Sequence, residues 1–197
     1  MSTARIKHIL TPTTNHKERF VSDYKELKEI VEHLKKVGYK IVLTQGVYDL
    51  IHEGHALYLE AARAHGDVLI VGVDSDELTR KRKGPERPIV PQEERVKMLV
   101  HLRHVDLVTV RNIGEGIGDL IKLVKPDVLV VSKSTGDFSD KEQQSYKKYA
   151  GKIVTLPPQA TTSTSARIRL LAIEGAEKLA REIVKLTDEF LAKIRKS

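Results

Sequence analysis

His52-Glu53-Gly54-His55 places two imidazoles three residues apart. On a helix that spacing puts both rings on one face, close enough to act on a single ligand. Imidazole titrates near neutrality, at about 6.5 when unperturbed, so either ring can donate a hydrogen bond to a phosphate oxygen. The pair follows a β-branched apolar run, Ile41-Val42-Leu43-Thr44, and a turn at Gln45-Gly46, and it precedes an Ala/Leu-rich helical pattern. Strand, glycine turn and helix start in that order put the histidines in a first helical turn. The N–H groups there have no intrahelical partners and the helix dipole favours an anion. The competing readings are a solvated pair and half of a metal site. Without cysteine or a third ligand at metal-site spacing, phosphate chemistry is the stronger expectation.

Other stretches could serve the same chemistry. Thr161-Thr162-Ser163-Thr164-Ser165 stands ahead of an expected helix. One such hydroxyl caps a helix, whereas five in a row also suit a second phosphate cradle. Arg80-Lys81-Arg82-Lys83-Gly84-Pro85-Glu86-Arg87 is the densest basic cluster, expected as a loop, with one or two of Arg80, Lys81, Arg82 and Arg87 as ligands and the others solvated. Ser132 to Asp140, carrying Lys133 and Gly136, is expected as a polar loop at a strand end. Gly114-Glu115-Gly116-Ile117-Gly118 resembles a dinucleotide fingerprint but lacks its spacing and follows the wrong strand. Glu53 falls on a different helix face from the histidines and is expected to be exposed.

These residues need a scaffold. Asp23 and Glu26 stand at capping-box spacing, and Leu27, Ile30, Val31, Leu34 and Val37 recur at helical intervals up to Gly38. Apolar runs at 41–44, 68–73, 105–110, 127–131 and 152–156 alternate with helical segments near 53–65, 74–80, 92–103, 117–124 and 141–149. Alternation of that kind predicts an α/β fold, a Rossmann-like doubly wound parallel sheet with extra N- and C-terminal helices. The expected divisions are an arm and helix at 1–39, a core at 40–173 and a C-terminal helix at 174–197. In such a sheet the loops holding His52 and His55, 80–87, 132–140 and 161–165 line one edge. Leu179, Ile183, Leu186, Phe190 and Ile194 form a stripe on the last helix, either for packing on the domain or for a homodimer interface.

Composition bounds the rest. The chain has 197 residues, no cysteine and a formal net charge of +7. No apolar run approaches the roughly 20 residues of a membrane span, and the first twenty residues lack the apolar centre of a signal peptide, so a cytoplasmic chain is expected. The positive charge invites a nucleic-acid reading, but three Phe, six Tyr and no Trp leave few platforms for stacked bases.

Gly46-Val47-Tyr48-Asp49-Leu50-Ile51-His52-Glu53-Gly54-His55, then Lys83-Gly84-Pro85 with Arg87-Pro88, Arg95, and finally Thr162-Ser163-Thr164-Ser165 resemble the cytidylyltransferase-like nucleotidyltransferases. The first block is similar to that family's G-x-F-D-x-x-H-x-G-H signature and the last to its S-T-T/S signature. The resemblance spans about 40–170. Within the family, Leu69-Ile70-Val71-Gly72-Val73-Asp74-Ser75-Asp76, the Lys-Gly-Pro-x-Arg-Pro stretch and Glu94-Arg95 look like the adenylyltransferase domain of ADP-heptose synthases. Cytidylyltransferases carry an Arg before S-T, where this chain has Pro158-Gln159-Ala160-Thr161.

The resemblance implies that a phosphate oxygen attacks the α-phosphorus of a nucleoside triphosphate and pyrophosphate leaves, without a covalent enzyme intermediate. It implies His52, His55 and Lys83 as catalytic groups and Gly46, Val47, Tyr48, Asp49, Gly54, His55, Arg95, Ser163, Thr164 and Ser165 as nucleotide-binding. The histidines would sit at the α-phosphate, Arg95 would clamp the β/γ-oxygens, and Asp49 would order its loop. Lys133 and Asp74 are candidates for the acceptor. Mg²⁺ would come with the triphosphate, bridging phosphates, and no metal site of the protein's own is expected. AMP transfer from ATP to a sugar phosphate such as heptose 1-phosphate is the leading reading. A CTP-dependent cytidylyltransferase for glycerol 3-phosphate, an FMN or NMN adenylyltransferase, and a basic nucleic-acid-binding module are the alternatives.

Overall fold

A computed structural model describes residue 11 and residues 16–116, 118–133, 140–160 and 164–194. Five strands form one parallel sheet: β1 (Ile41–Gly46), β2 (Val68–Asp74), β3 (Leu107–Arg111), β4 (Val128–Ser132) and β5 (Lys152–Leu156). Their order across the sheet is β3-β2-β1-β4-β5. The chain winds outward from β1 to one edge, then returns to lay β4 on the other side of β1. The order therefore reverses between β1 and β4, and the crevice beyond the carboxyl ends of these two strands is where open sheets bind ligands.

The strands read as continuous apolar runs because both faces are covered. On one face Ile41, Leu43, Ile70, Leu107 and Leu129 pack with Leu27, Ile30 and Leu34 of a helix at Tyr24–Lys36 and with Leu120 and Val124 of a helix at Asp119–Val124. On the other, Val42, Leu69, Val71, Val108 and Val130 pack with Leu59 and Ala62 of a helix at Glu53–Arg63 and with Val96 and Leu99 of a helix at Gln92–Val100. Neighbouring residues of one strand thus serve opposite layers.

In chain order the helices are α1 (His16–Arg19), α2 (Tyr24–Lys36), α3 (Glu53–Arg63), α4 (Asp76–Lys83), α5 (Gln92–Val100), α6 (Asp119–Val124), α7 (Asp140–Tyr146) and α8 (Thr164–Ile194). Asp23 caps α2 as its spacing implies, accepting from the N–H groups of Lys25 and Glu26. Within the expected N-terminal arm, the described residues 16–20 are regular. Phe20 bridges Val108 in parallel fashion and the Val21 N–H donates to the Val108 carbonyl, so this segment covers the edge of β3.

Two expectations change. Half of the basic cluster is helical: α4 runs through Arg80–Lys83 and stops where Gly84 adopts φ +101° ahead of Pro85. Thr164 and Ser165 of the hydroxyl-rich stretch share one helix with the C-terminal stripe, since α8 continues unbroken through Gly175. Residues 162–197 form a unit of their own, and there Leu179, Ile183 and Leu186 are exposed. No helix among the described residues is long and apolar enough to cross a membrane.

Candidate active site

His52 is the N-cap of α3 rather than a member of its first turn. Its Nδ1 accepts from the Gly54 N–H at 3.1 Å, and its carbonyl accepts from the His55 and Ala56 N–H groups. The ring of His55, one turn on, reaches back so that its Nδ1 faces the His52 N–H at 3.4 Å. The result is a capping box built from two imidazoles instead of a hydroxyl and a carboxylate. An Nδ1 that accepts must carry a lone pair, which leaves the ring proton of each histidine on Nε2. The helix end therefore presents two imidazole N–H donors, with ring centroids 4.2 Å apart, in place of the bare N–H groups expected from the sequence.

Burial lowers the His55 pKa to about 4, with the neighbouring His52 adding to the shift and Asp49 opposing it. His55 is therefore a neutral donor at pH 7. The expectation that it could take either charge state near neutrality is corrected by this desolvation.

Gly54 is required by crowding. A Cβ there would lie 2.9 Å from His52 Cε1 and 3.1 Å from Ala160 Cβ. The segment after β5 thus passes against the histidine cap at Ala160. Ser163 lies outside the described residues; Thr164 and Ser165 open α8, and their side chains lie outside them too.

Tyr58 holds α3 across the point where strand order reverses. Its hydroxyl pairs with Thr44 Oγ1 of β1 at 2.8 Å and donates to the Val130 carbonyl of β4 at 3.3 Å. Burial raises this phenol to about 12. Before the cap, Tyr48 and Leu50 adopt φ of +54° and +46°, a costly conformation for side-chain-bearing residues. They flank Asp49, and the buried Tyr48 ring stacks obliquely near His55 at 5.7 Å. Gly46 leaves room for that ring, since a Cβ would sit 3.2 Å from Tyr48 Cε2.

Asp49 is 2% exposed and orders a loop, though one beyond its own. Its Oδ2 accepts from Arg87 Nε and the Ile89 N–H, and its Oδ1 from the Val90 N–H. Arg95 makes the reciprocal tie. Its Nε donates to the Val90 carbonyl, Nη1 to the Val47 carbonyl and Nη2 to Asp76. At 1% exposure, with all three nitrogens engaged by protein, Arg95 is turned inward; the expected clamp on β/γ-oxygens is replaced by a clamp on two loops.

Asp74 is likewise enclosed. It takes Arg111 on Oδ1 and Arg82 on Oδ2, and it is 0% exposed, so it offers no free oxygen to an acceptor, contrary to expectation. Arg82 and Arg87 point at buried carboxylates, while Arg80, Lys81 and Lys83 are exposed. Lys133 is exposed just beyond β4, with its N–H on the Leu156 carbonyl. Glu53 is exposed as expected. Among the described residues no group of three or more His, Asp or Glu could hold a metal ion. Arg111 and Tyr58 went unremarked in the sequence, and Asp76 entered only as the end of a motif. Asp74 and Arg111 end neighbouring strands in register, a signal that only the strand order reveals.

Residues 43–185 match the cytidylyltransferase-like family model. The chain belongs to that family. It is a nucleotidyltransferase, and the resemblance drawn from the histidine and Ser/Thr blocks is borne out.

Bifunctional protein HldE of Desulfatibacillum aliphaticivorans is 40% identical over 144 residues, 73% of this chain and 29% of that protein. Its namesake in a Nitratiruptor species is 44% identical over 125 residues, 64% of this chain and 26% of that protein. The chain thus spans between a quarter and three tenths of the length of these relatives. A lipopolysaccharide core biosynthesis protein from Thermoplasma volcanium superposes with a TM-score of 0.55 at 30% identity, covering 60% of this chain and 97% of that one. A pantoate-beta-alanine ligase from Francisella tularensis, at 16% identity and a TM-score of 0.51, covers 74% of this chain and 68% of its own and shares the fold.

Proposed function

We propose that this nucleotidyltransferase moves AMP from the magnesium salt of ATP to a sugar phosphate of the heptose 1-phosphate type. A phosphate oxygen of the acceptor attacks the α-phosphorus in line. The bond from the α-phosphorus to the α–β bridging oxygen breaks, and pyrophosphate carries that electron pair away. The observation that carries the reading is the cap of two imidazoles at the start of α3, each with Nδ1 on a backbone N–H, beside the point where strand order reverses. Donors fixed before the reaction, with His55 kept neutral by burial, stabilise charge that grows on the α-phosphoryl and bridging oxygens without reorganising. Lys83, exposed at the end of α4, supplies a cation for phosphate oxygens. Asp49 and Asp74 are filled by arginines, so Mg²⁺ belongs to the nucleotide as substrate. Identity to the HldE proteins supports ATP and a heptose phosphate over other pairs.

A pyrophosphate-release screen of four nucleoside triphosphates against sugar, polyol and nucleotide phosphates tests this. Release with ATP and a sugar 1-phosphate is expected; release with CTP and not ATP would overturn the base assignment.

A further inference from the structure

Asp74 closes β2 and Arg111 closes β3, paired in register at the edge of the sheet where the site lies. Arg111 offers Nε and Nη2 to a single Asp74 oxygen, and both side chains are buried. The second oxygen takes Arg82 Nη1, from the last turn of α4. Arg82 is bound inward and its neighbour Lys83 is exposed; after Lys83 the helix stops at Gly84. Nearer its start, α4 buries Leu78 and Thr79 and pairs Asp76 with Arg95. The Arg82 contact therefore ties the last turn of the helix that carries Lys83 to the end of β2.

A polar cluster this enclosed needs a reason. Burying an ion pair gains little stability over apolar packing, whereas it fixes geometry closely. We propose that Asp74 and Arg111 form a clasp which, through Arg82, positions Lys83 for the transfer step. Arg82, Asp74 and Arg111 are positioning residues; none of them touches substrate in this reading. The inference rests on the role of Lys83 proposed above.

The test is a double-mutant cycle on the full chain with an exchange measurement beside it. Arg82→Leu, on the half-buried arm of the clasp, should lower kcat about tenfold or more with the KM for ATP within about twofold, since a misplacement of about 1 Å is that costly. Arg82→Lys should recover part of the loss. Arg82→Leu with Lys83→Ala should lose no more than Lys83→Ala alone, the signature of one residue acting through the other. Hydrogen exchange at amides 80–84 should quicken in Arg82→Leu while β1 and β2 keep their protection. Asp74→Asn should reproduce both effects. Additive losses, or unchanged exchange at 80–84, would overturn the clasp. If Lys83→Ala keeps full turnover while exchange responds as stated, the role of Lys83 is wrong and the mechanical clasp stands. The two ideas therefore fail separately.

Discussion

Asp49 Oδ2 accepts from Arg87 Nε at 2.8 Å, joining the loop that leads into the histidine cap to the loop that follows α4. With the Ile89 and Val90 N–H groups on the same carboxylate, one buried side chain gathers three donors from residues 87–90. The two loops that flank the candidate site are thus one structural unit, held by a charge with no access to water.

Asp49→Ala should leave the Arg87 guanidinium side and two amide donors without their acceptor. Removing one partner of a buried pair costs roughly 3–5 kcal/mol. Urea unfolding should show a loss of that order, with hydrogen exchange quickening at Ile89 and Val90. A change below about 1 kcal/mol would mean that water replaces the carboxylate.

Arg95→Met keeps much of the side-chain volume and removes the donors to Val47, Val90 and Asp76. The inward geometry calls for a lowered urea midpoint and a lowered kcat, as both loops loosen. A variant of wild-type stability whose only defect is a large rise in KM for the triphosphate would restore the phosphate-clamp role.

Gly54→Ala should push the His52 ring off its cap, because the added methyl would meet Cε1 at 2.9 Å. Turnover should drop at least about tenfold while the core, which Gly54 does not touch, keeps its thermal midpoint within a few degrees. Histidine ring resonances in an NMR spectrum report the displacement directly. Unshifted His52 and His55 signals would contradict it.

The His55 shift has a sign that can be followed. Its folded pKa of about 4 lies below the ordinary 6.5, because burial disfavours the charged ring. As pH falls, the unfolded chain takes up this proton first. The stability from a neutral His55 is complete above 6.5 and is lost progressively down to about 4. Between pH 7 and pH 5 the wild type should lose roughly 1 kcal/mol more than His55→Asn, allowing for partial exposure of the ring. Parallel pH curves for the two proteins would show that the ring is not held neutral.

Much of this was legible in the chain. Five apolar runs separated by helical periodicity dictate a parallel α/β sheet, and His-x-Gly-His after a strand marks the helix end where the imidazole cap forms. The cap itself was out of reach, because sequence spacing shows two rings on one face but not which nitrogen faces the backbone. Arg95 and Asp74 were misread for a shared reason. A charged residue in a motif looks solvated, and only three-dimensional packing reveals a partner 19 or 37 residues away.

On the proposed reading, the two capping imidazoles act on the α-phosphate. Pyrophosphate release from Mg-ATP, measured for wild type and His55→Ala under saturating substrates, tests it most directly. A fall of about 10²-fold or more in kcat, with the fold and ATP binding retained, is expected from loss of one preorganised donor. Equal turnover in the two proteins would contradict the role of the pair.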